Sequence, residues 1–252
     1  MQPGICDKHG EYTAQTFEYD GRPGLTFCPI CEKEKEDAER AANAKNMAEW
    51  AEREKLEAEA AAKKKAKDDL EDKGIRKRFY STTFDTFEAK TPEQKHAHDR
   101  CRAFVAEKEA NAETGKALFL LGRPGTGKNH LAVSIVREWG GDAIIKKASE
   151  IIRDVRSTYG TGQSEQRALS RLAAYDLLVI NEVGIQFGTE AEKNLLFEIL
   201  DERYESMRPT VFISNLNLQG VKDFVGARVI DRMMQCGEVL NFTWESYREG
   251  EK

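Results

Sequence analysis

No stretch of this 252-residue sequence approaches the roughly 18 consecutive apolar residues that a membrane-spanning helix needs. Its polar start carries no apolar core of a secretory leader, so the sequence points to a cytoplasmic protein without a membrane partner. A cationic excess is missing too. Lys and Arg number 39 against 44 Asp and Glu, a net charge of -5. Bulk charge therefore does not hold nucleic acid, and any DNA contact needs a local basic surface. Prolines number six, none between Pro29 and Pro92, and no glycine falls between Gly24 and Gly74. That span lacks every strong helix breaker. Four histidines and five cysteines leave material for little more than one metal site.

Against this background one glycine cluster stands out. Gly122-Arg-Pro-Gly-Thr-Gly-Lys-Asn-His130 matches G-x-x-x-x-G-K. Glycines in such a loop let successive backbone N–H groups face phosphate oxygens while the following helix points its positive end at them. Gly122, Pro124, Gly125, Thr126, Gly127, Lys128, Asn129 and His130 are the candidate ATP-binding residues, with Lys128 reaching the β- and γ-phosphates. The residue after the lysine normally offers a hydroxyl to Mg2+; Asn129 offers an amide. The apolar run before the loop and the Leu131–Trp139 pattern after it supply the required strand and helix.

A second apolar run, Leu177-Leu-Val-Ile180, ends in Asn181-Glu182. In this type of site the first of those positions is usually an aspartate that holds the metal. Asn181 removes a negative charge where a hard cation prefers oxygen anions. Glu182 is left to polarise the attacking water. With Asn129 and Asn181 both altering the metal's surroundings, the expectation is ATP and Mg2+ binding with weak hydrolysis.

Cys6-x-x-His9 and Cys28-x-x-Cys31 form two knuckle-like pairs around a short hairpin expected from residues 12–19 and 25–27. Three thiolates and an imidazole would fill a closed tetrahedral zinc site. A segment this small cannot fold on its apolar content alone. Residues 32 to about 74 read as one long, mostly polar helix. Met47, Trp50, Ala51 and Leu56 form at best a short apolar stripe, so the helix is either a solvated spacer or a segment whose Met47 and Trp50 anchor in another protein's groove. The expected organisation is a zinc-binding element at 1–35, a charged helical linker and candidate partner-binding segment at 36–75, and an ATPase domain at 76–252.

Downstream, an aromatic linker at 76–87 precedes a helix starting at Pro92. Strands near 116–122, 143–145, 177–181 and 209–215 alternate with helices near 129–139, 148–158, 164–174 and 190–207, followed by a small helical end. This alternation argues an α/β fold with a parallel sheet covered on both faces and a ligand at the strands' C-terminal edge.

The loop, the Asn-Glu strand, Ser214-Asn215, Gly226-Ala-Arg-Val-Ile-Asp-Arg-Met233 and Trp244-Glu-Ser-Tyr-Arg248 together resemble the bacterial replicative helicase loaders of the DnaC/DnaI type, within the AAA+ P-loop ATPases. Asn129 fits the DnaC branch, whereas Asn181 departs from the family's aspartate. The resemblance implies that Asn215 senses the γ-phosphate, that Arg228 and Arg232 supply an arginine finger to a neighbouring protomer, and that Arg248 acts as a second sensor. It also implies a hexameric replicative DNA helicase as partner, self-assembly on that helicase, and delivery to single-stranded DNA, for which Arg153, Arg156 and Tyr159 are candidate contacts. Two rival readings are an AAA+ helper of transposition and a non-catalytic nucleotide-binding adaptor.

Overall fold

The structure, a computed structural model, describes residues 2–20, 22–25, 27–159, 164–184 and 189–247. The chain divides into two compact units, Met1–Lys65 and Ala66–Lys252.

In the first unit, β1 (Gln2–Cys6) pairs antiparallel with β2 (Gly10–Ala14), and β3 (Thr16–Tyr19) with β4 (Arg22–Leu25). The single hairpin expected from residues 12–19 and 25–27 is thus replaced by two. The strand break falls at Gln15, inside the run that sequence patterning treats as continuous. Helix α1 (Pro29–Asp72) then begins at a proline, whose missing N–H costs nothing in a helix's first turn. Not one of its 44 residues is buried. Its surface is laced with i,i+4 pairs such as Arg53–Glu57 at 2.8 Å, each contributing only tenths of a kcal/mol.

The second unit is built on five parallel strands: β5 (Ala117–Gly122), β6 (Ala143–Lys147), β7 (Leu177–Asn181), β8 (Thr210–Ser214) and β9 (Glu238–Phe242), ordered β6-β7-β8-β5-β9. Leu118 and Leu120 face one apolar layer, while Phe119 and Leu121 face the other. Both faces of a central strand are therefore buried, which is why β5 reads as a continuous apolar run instead of an alternating one.

On the first face lie α2 (Pro92–Ala106) and α4 (Lys128–Trp139). A capping box starts α2: Gln94 N–H donates to the Thr91 hydroxyl oxygen, and Thr91 N–H donates to the Gln94 side-chain oxygen. The opposite face is covered by α5 (Ala148–Arg156), α6 (Glu165–Ala174), α7 (Glu190–Glu205), α8 (Leu218–Val225) and α9 (Ala227–Met233). The short α3 (Lys108–Thr114) leads into β5.

The small helical end expected after residue 215 is incomplete, because β9 follows α9 and pairs with β5. This edge strand is hard to see in sequence: Glu238-Val-Leu-Asn-Phe242 has only three apolar residues, and its acidic first residue is neutralised only by the fold. Arg100 of α2 donates twice to Glu238, at 2.7 and 2.6 Å. One large polar side chain is sealed in the core. Arg203 donates to the carbonyls of Ala173, Tyr175 and Pro209 and to the Thr210 hydroxyl, pinning α7 to the starts of β7 and β8.

The C-terminal turn of α1 belongs to this second unit. Gly74, at φ +75°, would place a Cβ 2.1 Å from the Ile145 carbonyl oxygen, so only glycine lets the chain pass so close to β6. Beside it the Ile145 N–H donates to the Lys73 carbonyl, and Ile75 is buried. Among the described residues, no helix is long and apolar enough to cross a membrane.

Candidate functional site

Parallel pairing brings the C-terminal ends of β5, β7 and β8 to one edge of the sheet. A cleft of about 1020 Å3 opens there, lined by Pro124, Gly125, Thr126, Gly127, Lys128, Asn129 and His130 from the loop, by Asn181 and Glu182 after β7, and by Asn215 after β8. These sequence-selected residues, far apart along the chain, are thus brought together. Gly122 does not line the cleft; at φ +127° it passes the Phe242 backbone where a Cβ would lie 2.4 Å from its carbonyl oxygen. Arg228 and Arg232 sit outside it on α9. Arg232 is paired with Asp201 at 2.6 Å and lies over the Tyr204 ring, whereas Arg228 is exposed. Arg248 lies outside the described residues.

The loop closes onto α4 through Gly127, whose φ of +91° is a left-handed turn at the residue that caps the helix start. Lys128 is buried, and its ammonium donates to the carbonyls of Gly122 at 2.7 Å and Arg123 at 2.6 Å. The same Arg123 carbonyl accepts the Thr126 hydroxyl at 2.7 Å. With carbonyls drawn toward lysine and hydroxyl, the arrangement suits an anion held by the loop's N–H groups and α4's positive end.

Across the cleft, Asn181 does not project freely: its side-chain oxygen accepts the Glu182 N–H at 2.9 Å. Glu182 adopts φ +60°, unusual for a residue with a Cβ and found preferentially at functional positions. Its carboxylate meets the Lys147 ammonium, at the end of β6, at 2.6 Å. Sequence reading passed over Lys147, since a lysine ending a strand carries no signal until the neighbouring strand is known.

The rear of the loop is secured by residues that pattern reading assigned no such task. His130 Nε2–H donates to the Thr83 carbonyl at 2.8 Å, and its ring meets Phe87 edge-on. Trp244 Nε1–H donates to the Thr126 carbonyl at 3.0 Å, and the Tyr247 N–H donates to the Gly125 carbonyl at 3.0 Å. The Tyr247 hydroxyl donates to the Glu88 carbonyl. The segment after β9 is therefore a strap across the phosphate loop. Of the candidate DNA contacts, Arg156 is paired with Glu192 at 2.8 Å and Tyr159 is exposed.

In the first unit, the ligand atoms of Cys6, His9, Cys28 and Cys31 all lie within 4.8 Å of one another. His9 Nδ1 is 3.3 Å from the Cys31 sulfur, 3.7 Å from that of Cys28 and 3.8 Å from that of Cys6; the Cys6 and Cys31 sulfurs are 3.6 Å apart. A tetrahedron with metal–sulfur bonds of about 2.3 Å and a metal–nitrogen bond of about 2.0 Å has edges of about 3.5–3.8 Å. These four separations lie close to those edges, so the cluster has about the dimensions of a zinc site. Backbone N–H groups of Lys8 and His9 pull the Cys6 thiol down to about 6, favouring the thiolate that metal binding requires, while the Cys31 thiol, hydrogen-bonded to the Cys6 sulfur, is raised to about 11.

Comparison with known proteins agrees with this architecture. The family model described as IstB-like ATP binding protein matches residues 35–252. The replicative helicase loader DnaC of Escherichia coli (strain K12) is 34% identical over 180 residues, covering 69% of this chain and 72% of that protein. Among solved structures, the DnaC helicase loader superposes with a TM-score of 0.60 at 23% identity, covering 66% of this chain and 99% of that one. DnaI superposes with a TM-score of 0.58 at 20% identity, covering 67% and 95%. On the family match and the identity to DnaC, this chain belongs to the IstB-like ATP binding proteins, as an AAA+ domain of the IstB/DnaC type.

Proposed function

We propose that this protein is an ATP-dependent loader that binds a hexameric replicative DNA helicase and delivers it to single-stranded DNA in the cytoplasm. The observation that carries this reading is the 34% identity, over 180 residues, to a replicative helicase loader. The cleft agrees with it. Lys128 and the loop N–H groups would take the phosphates, Glu182 would polarise water once released from Lys147, and Asn215 would report on the γ-phosphate. Asn129 and Asn181 would hold Mg2+ less firmly than a hydroxyl and an aspartate, so nucleotide would act mainly as an assembly signal with slow hydrolysis. Arg228 and Arg232 would reach a neighbouring protomer's nucleotide, with Arg232 leaving Asp201 on assembly. Residues 36–75, where Met47 and Trp50 are exposed, would engage the helicase. The Cys6, His9, Cys28 and Cys31 cluster would hold structural zinc, supplying the folding energy that a small unit lacks.

Native mass spectrometry of the protein with its cell's replicative helicase, with and without ATP and Mg2+, tests the loader reading. A nucleotide-sensitive complex of several copies on one helicase hexamer is expected; no binding in any nucleotide state would overturn it. The IstB-like family match favours one second reading, an AAA+ helper of transposition, which predicts a complex with a transposase instead.

A further inference from the structure

We propose that Glu34 is a positioning residue of the Cys6, His9, Cys28 and Cys31 site, holding the His9 imidazole in the one tautomer and orientation that binds zinc. The inference rests on the zinc reading above and goes beyond its four ligands.

His9 turns Nδ1 toward the three sulfurs, at 3.3, 3.7 and 3.8 Å. Its other nitrogen, Nε2, lies 3.3 Å from Glu34 Oε1. A neutral imidazole carries one proton, and a nitrogen that binds metal offers its lone pair. Zinc on Nδ1 therefore places the proton on Nε2, where it is donated to the carboxylate. That bond fixes the ring plane and makes Nδ1 a stronger base toward the metal.

The second oxygen of Glu34 is taken as well. Lys8, next to His9 in the turn between β1 and β2, pairs with Glu34 Oε2. Its ammonium offsets the charge that a fourth anion adds beside three thiolates. The spacing Cys31-x-x-Glu34 sets the metal ligand and the carboxylate three residues apart on the first turns of α1, and residues three apart share one face of a helix. Cys28, just before the helix, completes the ligand set from this side. One helix start thus supplies two thiolates and the group that orients the histidine opposite them, so zinc binding and the docking of the β1-β2 turn on α1 are one event.

The test uses the full-length protein, with zinc affinity measured by competition against a chromophoric chelator and helix content followed by circular dichroism. Wild type should bind one zinc per chain, and Cys31→Ser should lose it. Glu34→Ala should weaken zinc about 10–100-fold with helix content unchanged, and Glu34→Gln, whose amide oxygen still accepts a hydrogen bond, should recover much of that loss. Nitrogen shifts of His9 in the zinc form should report metal on Nδ1 and a proton on Nε2 in wild type. An affinity for Glu34→Ala within about threefold of wild type, or metal on Nε2, would overturn the role of Glu34 and leave the zinc site standing. Wild type that takes up no zinc would overturn both.

Discussion

The indole N–H of Trp244 donates to the Thr126 carbonyl at 3.0 Å, joining the segment after the edge strand β9 to the middle of the phosphate loop. Trp244 also packs against Phe242, the two rings tilted at 42° with centroids 4.7 Å apart, so the donor is held by the sheet itself. The loop is therefore tied to the segment that follows the last strand in the chain.

Trp244→Phe keeps the ring contact with Phe242 and removes the donor. Nucleotide affinity, read by titration with a fluorescent ATP analogue, should fall by about fivefold, the equivalent of one hydrogen bond of ~1 kcal/mol. Trp244→Ala, which also removes the ring, should lose more. Equal affinity for all three proteins would show that the loop keeps its shape without the strap.

Lys128→Ala should abolish ATP-dependent assembly, since its ammonium, held beside the loop carbonyls, is the charge that would meet the phosphates. Helicase binding in the absence of nucleotide should survive if residues 36–75 make that contact. Loss of both activities together, in a pull-down with and without ATP, would contradict the separation.

Restoring a metal-holding carboxylate with Asn181→Asp should raise Mg2+-dependent phosphate release about tenfold or more. A carboxylate at 181 also gives Lys147 an alternative partner to Glu182. If the rate does not change, the non-catalytic adaptor gains over the loader that hydrolyses slowly.

Glu238, held by Arg100, sits below the usual carboxylate range, and its bond ties β9 to α2. Because the folded-state value is depressed, the stability it contributes is complete above the unfolded value of about 4.3 and is lost as pH falls through the folded value. Glu238→Gln should cost about 1 kcal/mol at pH 7 in urea unfolding, and the gap from wild type should close as pH is lowered below about 4. A gap that persists at low pH would assign the loss to packing instead of charge.

Most of the nucleotide cleft was legible because its signals are local. Gly125, Gly127 and Lys128 lie within four residues of one another, and Leu177-Leu-Val-Ile180 declares a buried strand by composition alone. The cysteine pairs were legible for the same reason, each ligand pair occupying one short turn. Strand β9 was not, because its burial comes from pairing with β5 and its charge is neutralised by an arginine 138 residues away. Nor was the double hairpin, where a break at Gln15 divides a run of uniform strand character. Lys147, Trp244 and Glu34 belong to the same class: each acts on a residue that only folding brings near.

Local spacing in the sequence determined which residues are the candidates to hold phosphate and metal, because glycine freedom, thiolate chemistry and strand apolarity are properties of a few consecutive residues. The tertiary structure alone decided which way those groups are held. Polar contacts such as Trp244 to Thr126, His9 to Glu34 and Lys147 to Glu182 form between segments whose approach is set by the packing of a whole sheet or helix, and their strength depends on ångström-scale separations that no spacing along the chain encodes.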